Sequence, residues 1–150
     1  QPLLAIADEA MHAALAAGDG RTGWNNAFDP TLLIDADGEQ LLRILLNIGR
    51  NAVQALDGRE GAALTLSAER RDGATIIDLS DNGPGIPAEA LKHLFEPFAR
   101  KGRAGGTGLG LAIARELARG HGGDVVLLRS GPEGTTFRIT IPDAQAPVAT

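Results

Sequence analysis

Three groups of residues in this chain have the types and spacing to handle a nucleotide. Asn47 and Asn51 stand one helical turn apart. Their amide oxygens are hard ligands, of the kind that share a magnesium ion with phosphate oxygens and water. Asp81 ends an apolar alternation in which Ile77 and Leu79 share its face, and Gly83, Gly85 and Ile86 follow it. A carboxylate there is costly if buried without a partner, and well placed to accept a hydrogen bond from an exocyclic amine such as adenine N6. The two glycines leave room for a flat ring. Gly106, Gly108 and Gly110 lead into an apolar helix, interleaved with Thr107 and Leu109. Backbone N–H groups at a helix start hold anions, and glycines let phosphates approach them. Arg100, Lys101 and Arg103 add positive charge alongside.

Each group also has a plainer reading. Arg43, Asn47, Arg50, Asn51 and Gln54 describe a solvated helix face, Asp81 a turn cap, and the basic run a solvated loop. What points to metal, base and phosphates is the occurrence of all three in order. The GxGxG spacing after a basic loop is not the GxGxxG that follows a strand in dinucleotide-binding folds, and no Gly-Lys-Ser/Thr of a P-loop occurs.

Periodicity supplies the elements that must hold these groups. Residues 2–17 read as a helix stopped at Gly18-Asp19-Gly20, and 24–28 and 32–34 as short strands around Asp29-Pro30. The strongest helix spans 37–56, with Leu41, Leu45, Ile48, Ala52 and Leu56 at helical spacing and Asp37 as its N-cap. Residues 62–80 alternate as a hairpin turning at Arg71-Asp72-Gly73, and Pro87 opens a short helix. Residues 99–107 read as a mobile loop with almost no packing side chains. A helix then runs from Gly108 to Arg119, and strands at 125–129 and 137–141 join through Gly131-Pro132-Glu133-Gly134. Phe137, Ile139 and Ile141 mark a buried face. Residues 1–142 make one domain, and 143–150 a tail.

The chain of 150 residues, 43% hydrophobic, can bury one core. With four Phe, one Trp and no Tyr, that core must be aliphatic. The absence of cysteine excludes disulfides and thiolate chemistry. A net charge of −5 argues against sequence-independent nucleic-acid binding, which needs a basic face. No apolar run reaches the roughly eighteen residues of a membrane-spanning helix, and a cytoplasmic location is expected. Gln1-Pro2 reads as the start of an excised segment whose parent could still be membrane-anchored.

Four ordered segments, Asn47–Leu56, Asp81–Ile86, Phe95–Phe98 and Gly106–Gly110, resemble the N, G1, F and G2 boxes of histidine kinase catalytic domains, which share the Bergerat fold with gyrase, MutL and a heat-shock chaperone. The wording of the first is most similar to nitrogen-regulation sensor kinases. The resemblance implies an α/β two-layer sandwich, with a mixed sheet of about five strands under three main helices. It also implies Mg-ATP as ligand. Asn51 resembles the magnesium-binding asparagine and Asn47 its companion, both at the catalytic centre. Asp81 resembles the adenine-binding aspartate, with Thr135 helping to hold the base. Gly83, Gly85 and Ile86 resemble the turn beneath it, Phe95 and Phe98 the anchors of the ATP lid. Arg50, Arg100, Lys101, Gly106, Thr107, Gly108, Leu109 and Gly110 complete the nucleotide-binding set. Two positions depart from the usual pattern: Gln54 and Ala55 stand where many relatives carry Lys and an aromatic residue. The lid between Phe98 and Gly106 is also short.

ATPase members of that superfamily carry a glutamate four residues before the metal asparagine, where this chain has Asn47. An amide cannot take a proton from water, so the resemblance implies a kinase that holds its γ-phosphate for an acceptor. His12, His93 and His121 do not fit that acceptor, which is expected on a dimerisation domain upstream of Gln1. A response-regulator receiver domain is the expected next partner, with a homodimeric parent and a monomeric fragment. An anti-sigma-factor type serine kinase and a nucleotide-binding regulatory module without transfer activity are the alternatives.

Overall fold

The computed structural model describes residues 1–16, 18–97 and 110–143. Its elements run α1 (Leu3–Ala16), β1 (Gly23–Asn26), α2 (Gly38–Leu56), β2 (Ala63–Arg71), β3 (Ala74–Asp81), α3 (Ala88–Leu91), α4 (Gly110–Gly120), β4 (Asp124–Gly131) and β5 (Gly134–Pro142). The sheet order is β1-β2-β3-β5-β4; β1 pairs parallel with β2 and every other neighbour is antiparallel. This is the mixed five-strand sheet under three main helices that the sequence predicts.

Helix α2 organises the core. The Asp37 carboxylate accepts the Gln40 N–H at 3.1 Å, a cap of the kind worth about 1 kcal/mol. Leu41, Ile44, Leu45, Ile48, Ala52, Val53 and Leu56 are all buried, so the predicted apolar stripe faces inward and the Asn47–Asn51 side lies on its flank. Gly49 sits beneath α1, where an added Cβ would stand 3.0 Å from Met11 Cε and 3.1 Å from Ala14 Cβ. Gly49→Leu therefore overpacks the α1–α2 contact and is expected to cost about 1–3 kcal/mol in urea unfolding.

The hairpin turns at Asp72 (φ 52°) and Gly73 (φ 77°), the left-handed pair that matches strand twist in two-residue turns. Along β3, Thr75, Ile77 and Leu79 are buried, and strand alternation brings Asp81 to the end of that same face. On β5, Phe137, Ile139 and Ile141 are buried as expected.

Two short strands differ from expectation. The strand predicted over 24–28 ends at Asn26, whose side-chain oxygen accepts the Phe28 N–H at 3.2 Å and turns the chain. Residues 32–34 form no sheet strand. Leu33 makes a single bridge with Pro2, Leu32 O accepts the Leu3 N–H at 3.0 Å, and Ile34 donates to Gln1 O at 2.8 Å. Their partner is the start of the chain, which local alternation does not reveal. At the other end, Asp143 donates its N–H to Gly73 O at 2.9 Å and pairs with Arg70. Among the described residues no helix is long and apolar enough to cross a membrane.

Candidate functional site

At one end of the sheet the register sets three polar side chains in a row, Asp81 opposite Thr135 and Thr135 opposite Ser130. Beside them opens a cavity of about 300 Å³. Asn51, Gln54 and Ala55 of α2 form one wall; Asp81, Thr135 and Phe137 come from the sheet, and Pro84, Gly85, Ile86 and Pro87 from the loop after β3. Asp81, Gly85, Ile86, Asn51 and Thr135 thus meet in one place, although they come from distant parts of the sequence. Gln54 and Ala55 belong to the same wall, and the small Ala55 narrows it little.

Burial pushes the Asp81 carboxyl above its ordinary range, against the pull of the Gly83 and Thr135 N–H groups and of the Arg59 charge. The Gly83 N–H reaches Asp81 Oδ1 at 2.8 Å. A carboxylate in this position is desolvated faster than the protein repays it, so one more donor would be favourable. A raised folded-state value favours the protonated form, so its stability contribution is full below the ordinary 3.8 and is lost as pH rises through the folded value. Urea unfolding of the unliganded protein should therefore show wild type losing stability relative to Asp81→Asn as pH increases from that point.

The loop after β3 is shaped by two glycines and held by two side chains. Gly83 is buried, and Gly85 has φ +89°, with an added Cβ only 2.5 Å from Gly131 O. The Ile86 N–H donates to Ser130 Oγ at 2.8 Å, and Ser130 Oγ lies 2.9 Å from Thr135 Oγ1. Asn82 faces away from the cavity: its oxygen accepts the Ala63 N–H and its nitrogen donates to Gly61 O, both at 2.9 Å. Neither Ser130 nor Asn82 stands out in the sequence, since each partner is distant along the chain.

Across the cavity, Asn47 Nδ2 donates to Arg43 O at 2.9 Å. Only a donor can face that carbonyl, so the amide oxygen is left on the side of α4, 3.7 Å from where a Gly110 Cβ would stand. Asn51 lines the cavity, whereas Asn47 does not; the Asn47 amide oxygen lies one helical turn away, beside the start of α4. No cluster of three His, Cys, Asp or Glu among the described residues could hold a metal. A magnesium ion here would rely on Asn47 and Asn51 with oxygens of its ligand, and this hard-oxygen donor set suits it. Arg50 is exposed on α2 and does not line the cavity. Phe95 packs edge-on against Phe137 at 6.2 Å and lies under the Arg115 guanidinium at 4.4 Å. Arg115 also bonds Asp124 at 3.0 Å, tying α4 to β4. Phe98, Arg100, Lys101, Gly106, Thr107, Gly108 and Leu109, with the loop and helix start predicted there, lie outside the described residues. His12 and His93 are exposed beside Asp8 and Glu96, and His121 is held by Leu117 O. None of the three lines the cavity.

The sequence matches the family described as histidine kinase-, DNA gyrase B- and HSP90-like ATPase over residues 36–145. The chain belongs to this family. It is 45% identical over 126 residues to the sensory histidine kinase/phosphatase NtrB of Salmonella typhimurium, covering 77% of this chain and 35% of that protein. It is 37% identical over 105 residues to the C4-dicarboxylate transport sensor protein DctB of Rhizobium meliloti, covering 70% of this chain and 17% of that one. The chain thus spans about a third of the length of NtrB. Among solved structures, the mycobacterial sensor histidine kinase MprB superimposes with a TM-score of 0.78 at 24% identity, over 95% of this chain and 96% of that one. Full-length ShkA, solved in complex with AMPPNP, gives 0.75 at 28% identity over 99% of this chain and 32% of its own. The family and the nitrogen-regulation likeness read from the four boxes agree with these matches.

Proposed function

We propose that this domain binds Mg-ATP in the cytoplasm. In its parent protein it would present the γ-phosphate to a histidine on a dimerisation domain, for relay to a response regulator. The half-buried Asp81 carboxylate, facing a cavity whose opposite wall is Asn51, carries the reading. It needs a donor, and an exocyclic amine is one. Asp81 accepts the amine, Gly85 and Ile86 line the base from the loop side, and Thr135 stands beside Asp81 on the sheet. Asn51 and Asn47 supply amide oxygens toward the phosphate end, and the start of α4 follows. Magnesium, when bound, neutralises phosphate charge and orients the transferring group. The catalytic contribution of the chain is then positioning and charge complementarity rather than covalent chemistry. The relatives named as sensor histidine kinases, and the AMPPNP complex of ShkA, support both halves of this reading.

Asn47 holds the position of a general base but cannot serve as one. The isolated domain is expected to hydrolyse ATP far more slowly than the roughly 1–10³ s⁻¹ of ordinary enzymes. Steady turnover within that range would defeat the phosphate-reserving part of the reading. With ATP and the histidine-bearing segment of the parent added, the expected product is an acid-labile phosphoryl group on nitrogen. An acid-stable phosphate on a partner's hydroxyl would favour a serine kinase.

A further inference from the structure

Resting on the adenine-nucleotide reading, we propose that Ser130 is a positioning residue for base recognition, which turns the Thr135 hydroxyl into a hydrogen-bond donor toward the ring nitrogen beside the amine. Ile86 N–H lies 2.8 Å from Ser130 Oγ and can only donate, so Ser130 Oγ accepts it. The Ser130 hydroxyl proton then has Thr135 Oγ1 at 2.9 Å as its acceptor. A hydroxyl oxygen has two lone pairs and either partner can donate in this second bond; the sense we assign is the one that uses the Ser130 proton here. The chain therefore runs from Ile86 N–H to Ser130 O–H to Thr135 Oγ1, each bond polarising the next. Thr135 is only 4% exposed and lines the cavity, which is the side to which we assign its own proton.

The row then reads, across the sheet, acceptor at Asp81 and donor at Thr135. Adenine offers the complement, an amine donor at N6 next to an unprotonated N1. Guanine offers the opposite pair, an acceptor at O6 and a donor at N1, and would meet two mismatches. A second contact supports the same junction. The Gly85 backbone is pressed against Gly131 O, the residue after Ser130, so the loop that carries Ile86 docks on β4 at two adjacent points. Nothing in the sequence around Ser130 marks it. Its role arises from a register pairing with Thr135 and a loop contact 44 residues away.

The test compares ADP with 1-deaza-ADP, whose base keeps the amine but replaces N1 with C–H, by calorimetric titration of wild type, Ser130→Ala, Ser130→Thr and Thr135→Val. Wild type should prefer ADP by about three- to tenfold, the range of one net hydrogen bond. In Ser130→Ala and Thr135→Val that preference should collapse toward one, while Ser130→Thr restores it. Equal weakening of both ligands by Ser130→Ala, with the preference retained, would show that Ser130 only braces the loop and would overturn the proposal. Equal binding of the two ligands by wild type would overturn it without any variant, so a Ser130→Ala that fails to fold does not protect it. Failure of wild type to bind ADP at all would instead reject the nucleotide reading on which it rests.

Discussion

Asp81→Asn is expected to weaken ADP binding by roughly 1–3 kcal/mol, about five- to 150-fold, while the domain stays folded. The substitution preserves size and leaves an oxygen able to accept the Gly83 N–H, now at 2.8 Å. Its other group becomes an amide nitrogen, which sets a donor against the donor of an exocyclic amine. The mismatch leaves both groups desolvated and unpaired, and that is the origin of the large cost. Stability should move the other way. Burial raises the Asp81 carboxyl above its ordinary range, so the ionised form is a burden on the unliganded fold at neutral pH, and the neutral amide removes it. Calorimetric titration paired with urea unfolding checks both directions at once. A variant that loses ADP binding because it has unfolded would not satisfy the expectation.

Gly85→Ala should have a large effect for a single-methyl change in the cavity wall. The left-handed φ of +89° costs a non-glycine residue about 1–3 kcal/mol. The new Cβ would also lie 2.5 Å from Gly131 O, and that neighbour is backbone that cannot rotate aside. Relief requires the loop to lift from β4, which breaks the Ile86–Ser130 bond and moves the cavity wall. Both unfolding stability and ADP affinity should fall. Gly20→Ala is the matched control: its φ is +81° with nothing within 4 Å of the added Cβ. It should cost about 1 kcal/mol of stability and leave ADP affinity unchanged.

Much of the site was legible because its parts are local. The spacing of Asn47 and Asn51 follows from one turn of a helix whose apolar stripe and Asp37 cap are visible in the sequence. The placement of Asp81 follows from the two-residue period of the strand that carries Ile77 and Leu79. The turn at Asp72-Gly73 follows from the conformations those residues tolerate. Illegible features depend on partners far along the chain. Ser130 is an ordinary strand serine until the register sets it beside Thr135 and the loop brings Ile86 to it. Asn82, inside the Asp81–Ile86 segment, ties down Gly61 and Ala63, which no local pattern announces. Leu33 pairs with Pro2 rather than with the sheet, because the start of the chain competes for it. Arg50 shares the helix of Asn51, but it points to solvent, as an arginine off the buried stripe is free to do.

The account turns on a nucleotide seated between Asp81 and Asn51. Its most direct test is a two-dimensional amide NMR titration of the isotope-labelled domain with ADP and magnesium. Saturable shifts are expected at the backbone amides of Gly83, Gly85, Ile86 and Thr135 and at the side-chain amide of Asn51, with residues of the β2–β3 turn unmoved. No shifts at millimolar ADP, or saturable shifts confined to residues away from this cavity, would contradict it.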